Sequence, residues 1–238
     1  MPAALASARC RIPFADLGLW RADQLATPAL PAHPCGFAAL DAELPGGGWP
    51  AAALSELLLR EPGCGEIRLL APALAALGER DLVWVAPPYP PYAPALQGLR
   101  LPLARIVWLR PASEADAAWA AEQVLRSGAA GAVLWWSREA LPATLRRLHL
   151  AAQEGGMPLF ALRPWAQQHQ SSPAPLRLGL EPLAHDGLRV HVFKRRGPSL
   201  AQPIELTLPS PVHGRRVVLN PTVVADVVAG PAPALVAA

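Results

Sequence analysis

The chain reads as an α/β protein of three layers, with a mostly parallel central sheet between helices and a C-terminal antiparallel meander extending it. Three observations predict this. Short apolar runs alternate with helical patterns between residues 54 and 162, as parallel strands joined by crossover helices do. Those runs are apolar throughout, as strands covered on both faces require. From residue 175 the period changes to two, so the strands there leave one face exposed.

Composition narrows the classes of function. A hydrophobic share of 52% against a charged share of 16% excludes a disordered chain, and 29 prolines stiffen the connections. No run of about 18 uncharged apolar residues offers a membrane span, and the N-terminus lacks the order of a signal peptide, so the expected location is the cytoplasm. Cys10, Cys35 and Cys64 form neither a disulfide framework nor a metal half-site, and the histidines are scattered. Neither a metal nor a cofactor is expected. The net charge of +3 is a mild basic bias, carried almost wholly by arginine, which favours planar and bidentate contacts.

The stretch from Leu54 to Leu70 organises the rest: a buried strand, a glycine-containing turn, and a second apolar segment. A phosphate-binding loop in that place carries G-x-x-x-x-G-K-[ST], with backbone amides around the phosphates, a lysine on their oxygens and a hydroxyl on the metal. Laid over that pattern, this chain has Arg60 at the first glycine, Gly65 at the second, then Glu66 and Ile67. The turn, with Gly63 and Gly65, is kept and the chemistry is not. Lys194 is the only lysine, so no shifted frame repairs the motif.

In chain order, residues 1–33 form an N-terminal arm in which Phe14, Leu17, Trp20 and Leu25 share one face of a short helix, despite Gly18. That face packs on its own domain or docks on a neighbouring protein. Phe37, Leu40 and Leu44 follow, and Gly46, Gly47 and Gly48 permit a sharp turn into the first strand. Beyond the loop, Ile67, Leu70, Leu74 and Leu77 have helical spacing, with Pro72 starting the helix near Ala71 or kinking it. The second strand, 81–86, is closed by prolines 87, 88, 90 and 91, which leave few amide donors and present Tyr89 and Tyr92 as a rigid surface.

A third strand, 104–109, precedes a helix from Ser113 to Ser127, marked by a Ser113–Asp116 capping box and by Gly128 as its stop. Ala117, Ala121, Val124 and Leu125 face inward; Trp119 lies on the other side with Glu122, Gln123 and Arg126, as a contact surface or a scattered aromatic. The fourth strand, 132–137, ends in Trp135-Trp136-Ser137, and the next helix turns Leu141, Leu145, Leu148 and Ala152 inward and Arg146 and Arg147 outward. The fifth strand is 157–162. Residues 165–174 read as a mobile polar loop, and 175–182, 187–197 and 204–208 as the meander. Lys194, Arg195 and Arg196 cap a turn or contact DNA or another protein. Residues 209–238 form a C-terminal extension whose end is expected to be disordered.

Four stretches carry a resemblance: Gly36-Phe-Ala-Ala-Leu-Asp with Gly46-Gly-Gly-Trp-Pro; residues 63–70; Arg126-Ser-Gly-Ala leading into Val133-Leu-Trp-Trp-Ser; and Arg189-Val-His-Val-Phe-Lys-Arg-Arg-Gly-Pro. In order and spacing they resemble the RecA-like core, and within it the ImuA family of translesion-synthesis accessory proteins, whose relatives are often labelled SulA-like. The resemblance covers residues 34–208 and implies a degenerate RecA-like domain there. Where such ATPases carry Lys-Thr, this chain has Glu66 and Ile67; where a metal-holding Asp ends strand four, it has Trp136; and the loop for the catalytic Glu is the proline run 87–91. Phosphoryl transfer depends on positioned cations and an oriented water, so no enzyme activity is expected and no residue is assigned as catalytic.

The resemblance implies partners as well. ImuA-like proteins act with ImuB, an inactive relative of the Y-family polymerases, and through it with an error-prone replicative-type DNA polymerase; RecA is a further implied contact. The expectation is therefore a non-catalytic adaptor of an SOS-induced translesion complex, with Trp20, Trp119 and Arg126 as protein contacts and Lys194, Arg195 and Arg196 as DNA or RecA contacts. The alternative is a SulA-type cell division inhibitor that binds the tubulin-like division protein. Two further readings are an ATPase with an unconventional site built on Arg60 or Arg68, and a single-strand DNA binder.

Overall fold

The computed structural model describes residues 31–197, 200 and 202–211; Cys10, Trp20 and the rest of the arm up to residue 30, and the extension beyond residue 211, lie outside them. The first elements are a small antiparallel pair, β1 (Ala32–His33) with β2 (Trp49–Pro50), spanned by α1 (Ala38–Asp41). Gly46 and Gly47 take φ of +79° and +76° between them, and a Cβ on Gly48 would fall 2.1 Å from the His33 carbonyl oxygen. The triple glycine is thus a turn, but one that closes onto β2 before the main sheet begins.

Among the described residues that sheet has eight strands. Along the chain come β3 (Leu54–Leu59), α2 (Glu66–Ala76), β4 (Leu82–Val85), α3 (Ala93–Gly98), β5 (Ile106–Leu109), α4 (Glu114–Ser127), β6 (Ala132–Trp136), α5 (Pro142–Gly155) and β7 (Leu159–Pro164). Then follow β8 (Leu176–Pro182), β9 (Gly187–Lys194) and β10 (Ile204–Thr207). In space the order is β10-β9-β8-β3-β7-β6-β4-β5, parallel from β8 to β5 and antiparallel only at β9 and β10. The expected three-stranded antiparallel meander is β8-β9-β10, each strand antiparallel to the next. It joins the sheet because a long connection lets β8 run beside β3 in parallel, Ser55 opposite Leu176.

Two apolar layers sandwich the sheet. On one side Leu57, Leu59, Trp84, Leu134 and Phe160 pack with Leu69, Leu70 and Leu74 of α2; on the other Val83, Val85, Val133 and Trp135 pack with Ala117, Ala121 and Leu125 of α4 and Leu145 and Leu148 of α5. Burial on both faces explains why the strands are apolar without alternation.

Local chemistry explains the helix ends. Ser113 Oγ accepts from the Asp116 amide at 3.1 Å and donates to the Asp116 carboxylate at 2.7 Å, and Gly128 closes α4 at φ +67°. Pro72 neither starts α2 nor stops it: the helix runs through it from Glu66. Its ring packs against Gly36, where a Cβ would come within 2.5 Å of the proline, and Gly36 has φ +86°.

Three further expectations are corrected. Leu141 does not face inward; it is the N-cap of α5 and exposed, because the helix begins one residue later with proline. Glu122 does not face solvent: it is buried between α4 and α5, with Arg126 at 3.1 Å and Arg147 at 2.6 Å on its carboxylate. The polar loop after β7 is tied down, since Trp165–His169 form a 3-10 turn whose Gln167 and Gln168 carbonyls accept from Arg177 at 3.0 and 3.1 Å.

Candidate functional site

The loop between β3 and α2 keeps the backbone of an anion cradle. Gly63 and Gly65 hold φ of +86° and +115°, which L side chains resist, and their N–H groups point into the loop. Both are already taken. Gly63 donates to Glu66 Oε1 at 2.8 Å and Gly65 to Glu66 Oε2 at 3.1 Å, while Glu66 itself is 3% exposed. The residue at the expected lysine position supplies a carboxylate to the amides that would hold a phosphate.

Neighbouring side chains are engaged elsewhere. Ile67 packs against the core. Arg68 donates to the carbonyls of Pro209 at 2.8 Å and Leu208 at 3.0 Å and to Asp186 at 2.8 Å, so α2 is clamped to the C-terminal strands. A Cβ on Gly65 would meet Leu208 at 2.6 Å, so the chain after β10 closes over the loop. Arg60 stacks on Trp165, its guanidinium 3.9 Å from the ring centroid, and lies 3.8 Å from Glu181. The hydrogen bond from His191 at 3.2 Å, helped by Arg60 and Arg189, holds the Glu181 carboxyl below its usual range.

Beside the loop a cleft of about 380 Å³ opens at the C-terminal ends of β3, β4, β6 and β7, where open α/β sheets bind ligands. Leu59, Trp136, Leu162 and Pro164 give it an apolar lining, and Arg60, Arg138, Glu114 and Ser137 its polar groups. Trp136 is 8% exposed, with Trp84 at 5.7 Å between centroids. Glu114 is engaged at both oxygens: Ser137 Oγ donates to one at 2.8 Å and the Arg138 amide to the other at 3.0 Å. Ala86, also in the lining, has φ +53°, a strained setting for a residue with a Cβ.

Beneath the cleft is a buried triad whose members lie far apart in the sequence. Glu56 in β3 accepts from Arg163 of β7 at 2.6 Å and from Arg177 of β8 at 2.5 Å, and Arg163 also donates to the Ala140 carbonyl and to Gln170. Its signal was a single charge inside each apolar run, Glu56 in Leu-Ser-Glu-Leu-Leu-Leu and Arg163 in Leu-Phe-Ala-Leu-Arg-Pro. On the flank, Trp165, His191 and Phe193 form an aromatic cluster over Gly179, where a Cβ would lie 2.5 Å from Phe193 and 2.6 Å from Trp165.

The expected contact residues are not brought together. Trp119 is 63% exposed on α4, and Arg126 is engaged with Glu122. At the end of β9, Lys194 donates to the Ser172 carbonyl at 2.9 Å and Arg195 pairs with the Glu43 carboxylate at 2.8 Å and with its carbonyl, while Arg196 is exposed. Arg195 thus fastens β9 to the segment after α1. Burial pushes the Cys35 and Cys64 thiols up to about 12, which disfavours the thiolate form of both. Among the described residues no group of three His, Cys, Asp or Glu side chains is placed to hold a metal, and no helix is long and apolar enough to cross a membrane.

No protein-family model matches the chain. Over 89 residues it is 36% identical to the cell division inhibitor SulA of Edwardsiella piscicida, a match that covers 37% of this chain and 53% of that protein. The chain thus spans about half the length of that curated relative. The crystal structure of SulA from Pseudomonas aeruginosa aligns with 48% of this chain and 98% of its own, at 33% identity and a TM-score of 0.40.

Proposed function

We propose that this chain is a non-catalytic, RecA-like domain of the SOS response that acts in the cytoplasm by binding other proteins. The observation that carries the reading is Glu66 in the amide cradle, where its carboxylate excludes a phosphate by charge and by occupancy. The missing lysine and hydroxyl, Trp136 at the strand tip and the proline run support the same conclusion about ATP. The partial homology to SulA supports the link to the damage response.

Two specific forms follow. The curated relative favours a SulA-type division inhibitor, binding the tubulin-like division protein. The second form is an ImuA-like adaptor that joins an ImuB-like protein and RecA, and through them an error-prone replicative-type polymerase. It rests on the four sequence stretches quoted above, which resemble the ImuA family. The test is binding of the purified chain to the division protein, to an ImuB-like protein and to RecA, with Mg-ATP titrated in parallel. Binding of the division protein with filamentous growth on expression selects the first form. Binding of ImuB-like protein and RecA selects the second, and ATP turnover removes both.

A further inference from the structure

We propose that the cleft at the strand ends receives an acidic segment of a partner protein, with a carboxylate at its arginine rim and a large apolar side chain on its floor. The inference rests on the reading that this chain binds proteins and goes beyond it by naming the site and the chemistry of the occupant. Size comes first. A cleft of about 380 Å³ lined by Leu59, Trp136, Leu162 and Pro164 accommodates one or two side chains, and buried apolar pockets of that kind anchor partner segments.

Charge then selects the occupant. Arg60 and Arg138 stand at the rim with exposed side chains, and Arg163, which also lines the cleft, belongs to a buried triad of two arginines and one glutamate that leaves a net positive charge in a low-dielectric interior. Glu114, the one carboxylate in the lining, already accepts from Ser137 and from the Arg138 amide. The unmet demand of the cleft is for an anion, and guanidinium groups meet carboxylates in bidentate fashion.

The occupant is a protein segment and not a nucleotide or a nucleic acid. The amides that would seat a phosphate are filled by Glu66. Next to the lining residue Pro88, Tyr89 is 64% exposed on a stiff proline run, and an exposed tyrosine beside an apolar pocket is typical of protein interfaces.

The test uses the full chain and a phage-displayed random dodecapeptide library, followed by fluorescence anisotropy of the enriched peptide on wild type, Arg60→Glu, Arg138→Glu and Arg138→Lys. Thermal melts establish that each variant is folded. The expected peptides carry Asp or Glu close to Phe, Leu or Trp, bind Arg138→Glu about tenfold more weakly, and regain affinity in Arg138→Lys. Enrichment of basic or uncharged peptides, no enrichment, or unchanged binding in both charge-reversed variants would overturn the proposal. So would an oligothymidylate that binds wild type and is lost in the same variants, which would reassign the cleft to nucleic acid. Mg-ATP supplies the separating arm: binding with turnover brings down the non-catalytic reading itself, whereas absent peptide binding without nucleotide binding removes this proposal alone.

Discussion

Arg163 donates to Glu56 across 2.6 Å in the middle of the sheet, with neither side chain exposed. Taking those charges out of water costs several kcal/mol each, and the pair persists because Arg177, the Ala140 carbonyl and Gln170 meet most of the remaining hydrogen-bonding demand, with Arg163 Nε left without a partner. Glu56→Ala leaves two buried guanidinium groups without their anion. The expected loss is about 3–5 kcal/mol by urea denaturation, and one under about 1 kcal/mol would show that solvent reaches the triad.

Glu66→Ala removes the acceptor of the part-buried Gly63 amide and the buried Gly65 amide and is expected to lower stability by about 1–3 kcal/mol. The vacated cradle then prefers an external anion. Inorganic phosphate should raise the melting temperature of the variant and leave that of wild type unchanged; an equal response in both would refute the internal plug.

His149 Nδ1 accepts from the Leu54 amide at 3.3 Å, which requires a neutral ring. Burial, with the charges of Lys194 and Arg196, lowers its pKa from 6.5, and burial lowers that of His33 in the same direction. The unfolded chain therefore binds more protons as pH falls through about 6.5, so the stability present above that value is lost toward the folded pKa. Urea midpoints should be level above about pH 7 and decline below it. In His149→Gln, whose amide oxygen can accept the same bond, the decline should shrink to the share of His33. An undiminished slope contradicts the assignment.

Gly155, the last residue of α5, lies where a Cβ would fall 1.8 Å from the Leu125 carbonyl oxygen of α4. Gly155→Ala must push the two helices apart. A destabilisation of about 3 kcal/mol is expected, with a matching rise in amide exchange along both helices. An alanine variant as stable as wild type would place the close approach elsewhere.

Trp119 is 63% exposed and contributes little to packing. Trp119→Ala should alter stability by no more than about 0.5 kcal/mol. If α4 presents a contact face, the variant loses affinity for the partner that the binding assays identify; retained affinity for every one removes Trp119 from the interface.

Much of the fold was legible because period and punctuation carry it. Ser113 and Gly128 delimit α4 by capping chemistry that acts within a few residues, and the uninterrupted apolar run of β3 announces burial on both faces. Part of the loop was legible too: Glu66, where a phosphate-binding loop carries lysine, is visible in the sequence. That its carboxylate folds back onto Gly63 and Gly65 is not, because the loop path sets where the side chain ends. Long-range electrostatics was hidden for the same reason. Glu122 looks like a surface residue until Arg147 arrives from the next helix, and Glu56 meets its two arginines only when β7 and β8 settle on either side of β3. Pro72 misled because the glycine that makes room for it lies far back in the chain.

An anion that belongs to the polypeptide is never exchanged or cleaved. On the reading proposed above, Glu66 leaves the chain without the clock that γ-phosphate hydrolysis gives a switch protein, since no differential binding of two nucleotide states can shift its population. A complex built on it has no built-in release step. Its lifetime is set by the intrinsic off-rate and by the copy number of the chain in the cell, so removing the signal means removing the protein.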